Sequence, residues 1–192
     1  MRKTNSSKII LLSTFLILYA STSYFCKNVI SESANTLIFL FAVLLLSLFR
    51  ENSQQKISAV LIMLLLIVLG LFSSMLARDE LKLTVYPIII YVIAYIYITH
   101  VEIEEFTTAF VNIMSFVAFF SVVALLLYMI LPRAFSVFPR IMNTSGNSAY
   151  NLFFTVIIPA YFIRAQGFFW EPGAFQTFVN IALSILILKQ KR

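Results

Sequence analysis

An all-α integral membrane protein, with about six transmembrane helices and one long extracytoplasmic loop, is the fold class this sequence predicts. Three observations lead there. Of the 192 residues, 61% are hydrophobic, and mean hydropathy is +0.95. A soluble fold of this size still exposes much of its area and cannot hide so many apolar side chains. Only 11% of residues are charged, against roughly 25% in soluble domains. The apolar residues also come in long unbroken runs, as lipid-embedded segments require. Soluble enzymes, nucleic-acid binders, disordered tails and disulfide scaffolds are excluded on these grounds.

The elements follow in order. A span needs about 20 apolar residues to cross a hydrocarbon core of roughly 30 Å. Residues 1–131 supply five candidates: Ile9–Phe25, Asn35–Phe49, Ile57–Leu76, Thr84–Thr99 and Phe106–Leu131. Asn35–Phe49 is short and borrows from Ser31–Ala34. Stretches such as Leu61–Leu69 are apolar on every side, whereas barrel strands alternate over about ten residues. The runs therefore read as helices, antiparallel to their neighbours because the connections are short. Ile9–Phe25 follows a basic start but is longer than a usual signal-peptide core, so it reads as a retained first helix. Residues 174–192 hold a sixth run, Ala174–Leu188, and a basic tail.

Residues 132–173 form the long loop. Pro132 ends the fifth helix. Asn143–Ser148 is polar and turn-rich. Leu152–Ile163 is apolar but has only 12 residues and carries Pro159. That is too short to span comfortably and suits a re-entrant or interfacial segment. With the N-terminus inside, inner segments hold eight Lys and Arg: Arg2, Lys3, Lys8, Arg50, Lys56, Lys189, Lys191 and Arg192. Outer segments hold six: Lys27, Arg78, Lys82, Arg133, Arg140 and Arg164. Three of those six lie in the long loop, where the positive-inside rule is weaker, so N-in and C-in is predicted. Arg78–Lys82 reads as a solvated outer turn and His100 as an inner-interface residue. The single cysteine, Cys26, excludes an internal disulfide and a thiolate cluster, and the single histidine argues against a His-rich metal site.

The loop closes on Arg164-Ala165-Gln166-Gly167-Phe168-Phe169-Trp170-Glu171-Pro172-Gly173-Ala174-Phe175-Gln176. Pro172 suits the first turn of a helix, where its missing N–H costs nothing. Glu171 sits at the positive end of that helix. Gly173 permits close approach of backbone or ligand. Trp170 suits the headgroup level. These features alone describe a well-formed helix start.

The string R-x-x-G-x-F-W-E-P-G-A-F-Q closely resembles a motif of the O-antigen polymerases and related members of the O-antigen ligase superfamily. The ten residues Arg164–Gly173 carry the resemblance; the helices match only in being hydrophobic. The family consists of bacterial inner-membrane proteins acting on polyprenyl-diphosphate-linked sugar repeats, with the motif at the outer face before a transmembrane helix. Its members usually have about twice as many helices and a second outer loop, so the resemblance implies that these 192 residues are the N-terminal half of such an enzyme.

The implied reaction is glycosyl transfer with a diphosphate leaving group. Arginine binds phosphate oxygens in a bidentate, permanently charged way, and a preorganised cation stabilises the departing charge. Arg164 and Glu171 are the candidate catalytic residues, and Arg133, Arg140, Trp170 and Gly173 the candidate substrate-binding residues. Each has a plainer reading. Arg164 can anchor the loop by snorkelling, Glu171 can serve the helix start, Trp170 the aromatic belt, and Arg133 and Arg140 the flanking charge of the fifth helix. The scheme needs no cofactor and no protein-bound metal. It names polyprenyl-diphosphate-linked oligosaccharide and membrane lipid as partners, with chain-length regulator and flippase proteins as further candidates, and no nucleic acid. A ligase-type transferase, a transport-related export component and a non-catalytic membrane protein are the alternatives. The cores of the six runs lack Asp, Glu, Lys and Arg, which argues against ion-coupled transport.

Overall fold

The structure, a computed structural model, describes residues 2–49, 68, 81–142, 148–159 and 163–190. The run Ile57–Leu76 lies outside those residues but for Val68, as do Arg78–Glu80 and Asn143–Asn147. Helices account for most of the described chain. They are α1 (Arg2–Thr22), α2 (Tyr24–Asn28), α3 (Glu32–Phe49), α4 (Leu81–His100), α5 (Ile103–Ile130) and α6 (Pro172–Gln190).

Each boundary has a local cause. Ser23 leaves helical geometry, and its hydroxyl accepts the Cys26 N–H, so α1 stops and α2 is capped in one residue. Ser31 caps α3, its hydroxyl accepting the Ala34 N–H at 3.3 Å, which is why the helix begins ahead of the apolar run. At the head of α5 the Glu105 carboxylate accepts the Glu102 N–H at 3.1 Å. Leu131 leaves helical geometry at φ −130° and ψ 60°, and Pro132 opens a 3₁₀ helix, Pro132–Val137. Pro172 is the first residue of α6, as its missing N–H favours.

Helix α5 organises the packing. Phe110, Met114, Val117, Ser121 and Ala124 recur every three or four residues and are buried, which puts them on one face. That face meets α1, α6 and the sheet described below. The opposite face exposes Phe119, Val122, Leu126 and Ile130. Among the described residues two helices, α5 and α6, are long and apolar enough to cross a membrane. Shorter apolar stretches occupy α1, α3 and α4. Helix α1 packs against α3 and α5, and α3 against α4. His100, at the end of α4, is buried, its Nδ1 lying 2.8 Å from the Ile96 carbonyl.

The loop departs from the all-α expectation. It carries a four-stranded antiparallel meander: β1 (Arg140–Met142), β2 (Ser148–Asn151), β3 (Val156–Ile158) and β4 (Arg164–Ala165), in that spatial order. The register sets Arg140 opposite Tyr150, Tyr150 opposite Ile157, and Ile158 opposite Arg164. Val156–Ile158, within the segment read as re-entrant or interfacial, is an inner strand. Its β-branched residues favour extended backbone, and flanking strands take its polar groups. Its apolar run is continuous because both faces are covered. Val156, Ile141 and Ala149 pack on Tyr24 of α2, whereas Ile157 and Tyr150 pack on Ala124 of α5 and Phe135 of the 3₁₀ helix.

Candidate functional site

The string that closes the loop divides between core and surface. Gln166 is fully buried and its Nε2 donates to the Phe169 carbonyl at 2.8 Å. Gly167 has φ +58°, and a Cβ there would lie 2.8 Å from Val117 Cγ1 and 3.0 Å from the Phe175 ring. This is the left-handed region that only glycine enters freely. Phe168 and Phe169 stack at 4.6 Å between centroids and sit in the main core with Tyr19, Met114 and Val117. Trp170 and Glu171 then emerge at the surface.

This turn is stitched to the interruption in the first helix. The Trp170 N–H donates to the Thr22 carbonyl at 2.8 Å, and the Tyr24 N–H to the Phe168 carbonyl at 2.7 Å. A helix end leaves donors and acceptors unsatisfied. Here the last carbonyl of α1 and the first N–H of α2 find partners in the motif segment. Lys27, on α2, sets its Nζ 3.5 Å from the centroid of the Trp170 ring, a cation–π arrangement.

The sequence-derived candidates fall in different places. Arg164 lies on β4, its backbone paired with Ile158; its side chain is outside the described atoms. Arg140 lies on β1, at the far edge of the sheet. Three strand spacings of about 4.8 Å separate these two backbones by roughly 14 Å. The Arg140 Nη2 donates to the Tyr150 hydroxyl at 2.6 Å, with the guanidinium 4.8 Å from that ring's centroid. Arg133 is exposed on the 3₁₀ helix, and its carbonyl accepts from the Ser136 hydroxyl. Glu171 is exposed, and its carbonyl accepts the Phe175 N–H. Gly173 faces open space: a Cβ there meets nothing within 4 Å. Close approach is needed at Gly167 rather than at Gly173, because Gly167 is wedged between α5 and α6.

Sequence reasoning missed Lys27 as a partner of the motif, since 143 positions separate it from Trp170. Gln166 gave no signal beyond its place in the string. Between the α1–α2 break, α3 and Trp170 lies a cavity of about 390 Å³, with Ser21, Lys27 and Asn35 in its wall. Among the described residues no group of three His, Cys, Asp or Glu could hold a metal ion. Comparison with family models, curated proteins and solved structures finds no match.

Proposed function

We propose that this chain belongs to a polymerase-like membrane glycosyltransferase of the bacterial inner membrane, which joins polyprenyl-diphosphate-linked oligosaccharide repeats at the outer face. On this reading the six apolar runs span the membrane with both termini inside, and residues 132–173 lie outside. The observation that carries the proposal is the string Arg164–Gly173, read together with its position directly before α6.

In the proposed reaction a sugar hydroxyl of one repeat attacks the anomeric carbon of the growing glycan. The carbon–oxygen bond to the diphosphate breaks, the diphosphate leaves with its electron pair, and the hydroxyl proton passes to a base. Arg164 neutralises the leaving diphosphate. Glu171 stands exposed beside the start of α6, where it receives that proton or orients a sugar hydroxyl.

The test is made in the native gene. Arg164→Ala at normal expression should reduce long-chain glycan on the order of 100-fold. Arg164→Lys keeps the charge but loses the planar fork, and should remain clearly impaired. Parental levels of long-chain glycan in Arg164→Ala overturn the proposal. Loss of glycan transfer to its final acceptor, with polymer length unchanged, would move the reading to a ligase-type transfer.

A further inference from the structure

We infer that the cavity at the α1–α2 break is a binding site for a phosphate group of net negative charge, on an anionic phospholipid or free, with Lys27 as its cation. This goes beyond the proposed glycosyl transfer and does not depend on it.

Four observations converge. The cavity holds about 390 Å³, ample for a phosphate and a small substituent. Its wall combines the Lys27 and Trp170 side chains with polar residues of α1 and α3. Most donors in that wall are already committed. The Ser21 and Thr22 hydroxyls donate to the Leu18 carbonyl at 3.1 and 2.6 Å, and Asn35 Nδ2 donates to the Ala20 carbonyl at 2.9 Å. Lys27 differs. The residue is exposed and its ammonium lies over the Trp170 ring. A ring face attracts the cation without neutralising it, so its three N–H donors keep their full charge toward an anion. The indole fixes where that charge stands.

The location selects the anion. Trp170 is two residues ahead of α6, a helix apolar and long enough to cross a membrane. Tryptophan at such a position lies at headgroup depth, where phosphate is the abundant anion. The shared chemistry is a phosphate group, from an anionic phospholipid or from free phosphate.

Trp170 is the sole tryptophan, so its fluorescence reports this cavity alone. The purified chain is placed in phosphatidylcholine nanodiscs, in nanodiscs with increasing phosphatidylglycerol, and in phosphatidylcholine nanodiscs with added inorganic phosphate. A saturable emission change with phosphatidylglycerol identifies the lipid headgroup as the source. One with inorganic phosphate alone identifies free phosphate. Either supports the site provided that Lys27→Ala weakens the response about fivefold or more, the share of one lysine at an anionic surface, while Lys27→Arg retains it. Ser21→Asp adds a carboxylate to the same wall at an exposed position and leaves Lys27 in place, so it should also weaken the response. No emission change in any arm, or changes equal in the parent, Lys27→Ala and Ser21→Asp chains, overturns the proposal.

Discussion

At the scale of single residues, two glycines of one motif do opposite work. Gly167 is held at φ +58° with Val117 and Phe175 closing on the missing Cβ. Gly167→Ala should lower stability by about 1–3 kcal/mol, from left-handed strain and overpacking together. Gly173 meets open space in the first turn of α6. Gly173→Ala should leave stability unchanged or raise it by up to about 1 kcal/mol, because alanine is the better helix former. Thermal unfolding of both variants in detergent compares them; equal losses would show that the turn does not need its glycine. Cys26, just past the first apolar run, makes a second case. Burial pushes its thiol above the ordinary range, and a hydrogen bond with Ser23 opposes this only in part. Since the thiolate is the reactive form, a water-soluble maleimide should label it slowly near pH 7.5, with the rate climbing only above the usual midpoint of about 8.5. The sign for stability follows: as pH rises past that range, the unfolded chain loses the proton first, so folding stability falls. Fast labelling at pH 7.5 would contradict the burial of this thiol. None of this was legible in the sequence, whose four glycines give no hint of which φ is positive.

At the scale of elements, proline and apolar runs were readable and short strands were not. Pro132 and Pro172 bound α5 and α6 as their chemistry requires. The strands of the meander have two to four residues each, too few for an alternating pattern to emerge. Their pairing is settled by what covers each face, namely α2 on one side and the end of α5 on the other. The break at Ser23 was hidden for a different reason, because the small polar residues near it resemble any weakly apolar helix end. Its cap is testable. Ser23 is buried, and its hydroxyl accepts the Cys26 N–H at 2.9 Å, so Ser23→Ala should cost about 1 kcal/mol of stability. A loss below a few tenths of a kcal/mol in the same melting assay would remove the cap from the account.

At the scale of the whole molecule, the orientation of the bundle is the proposal that composition reaches farthest toward. Lys and Arg are biased to one side among the short connections, so a periplasmic reporter fused after Asn147 should be active, and one fused at the C-terminus should be inactive. A cytoplasmic readout after Asn147 would reverse the proposed topology. The exposed apolar faces of α5 and α6 fit lipid better than water, since Phe119, Ile130 and Leu188 are each more than half exposed. The candidate site was legible as a string and not as a shape. Its core half, Gln166–Phe169, and its surface half, Trp170 and Glu171, look alike in sequence, and Lys27 joins them only through the fold.

The seam between the first helix and the motif turn also sets an order of events during synthesis. Ser23 and Phe169, bridged in the folded chain, are 146 positions apart. At about 5–20 residues per second, the ribosome needs roughly 7–30 s to deliver the second after the first. Throughout that interval the Thr22 carbonyl and the Tyr24 N–H lack their eventual partners, and unsatisfied backbone is costly in hydrocarbon. On the proposed topology, the nascent first helix waits with its broken end at the water-facing boundary until the motif turn is delivered and locks it there.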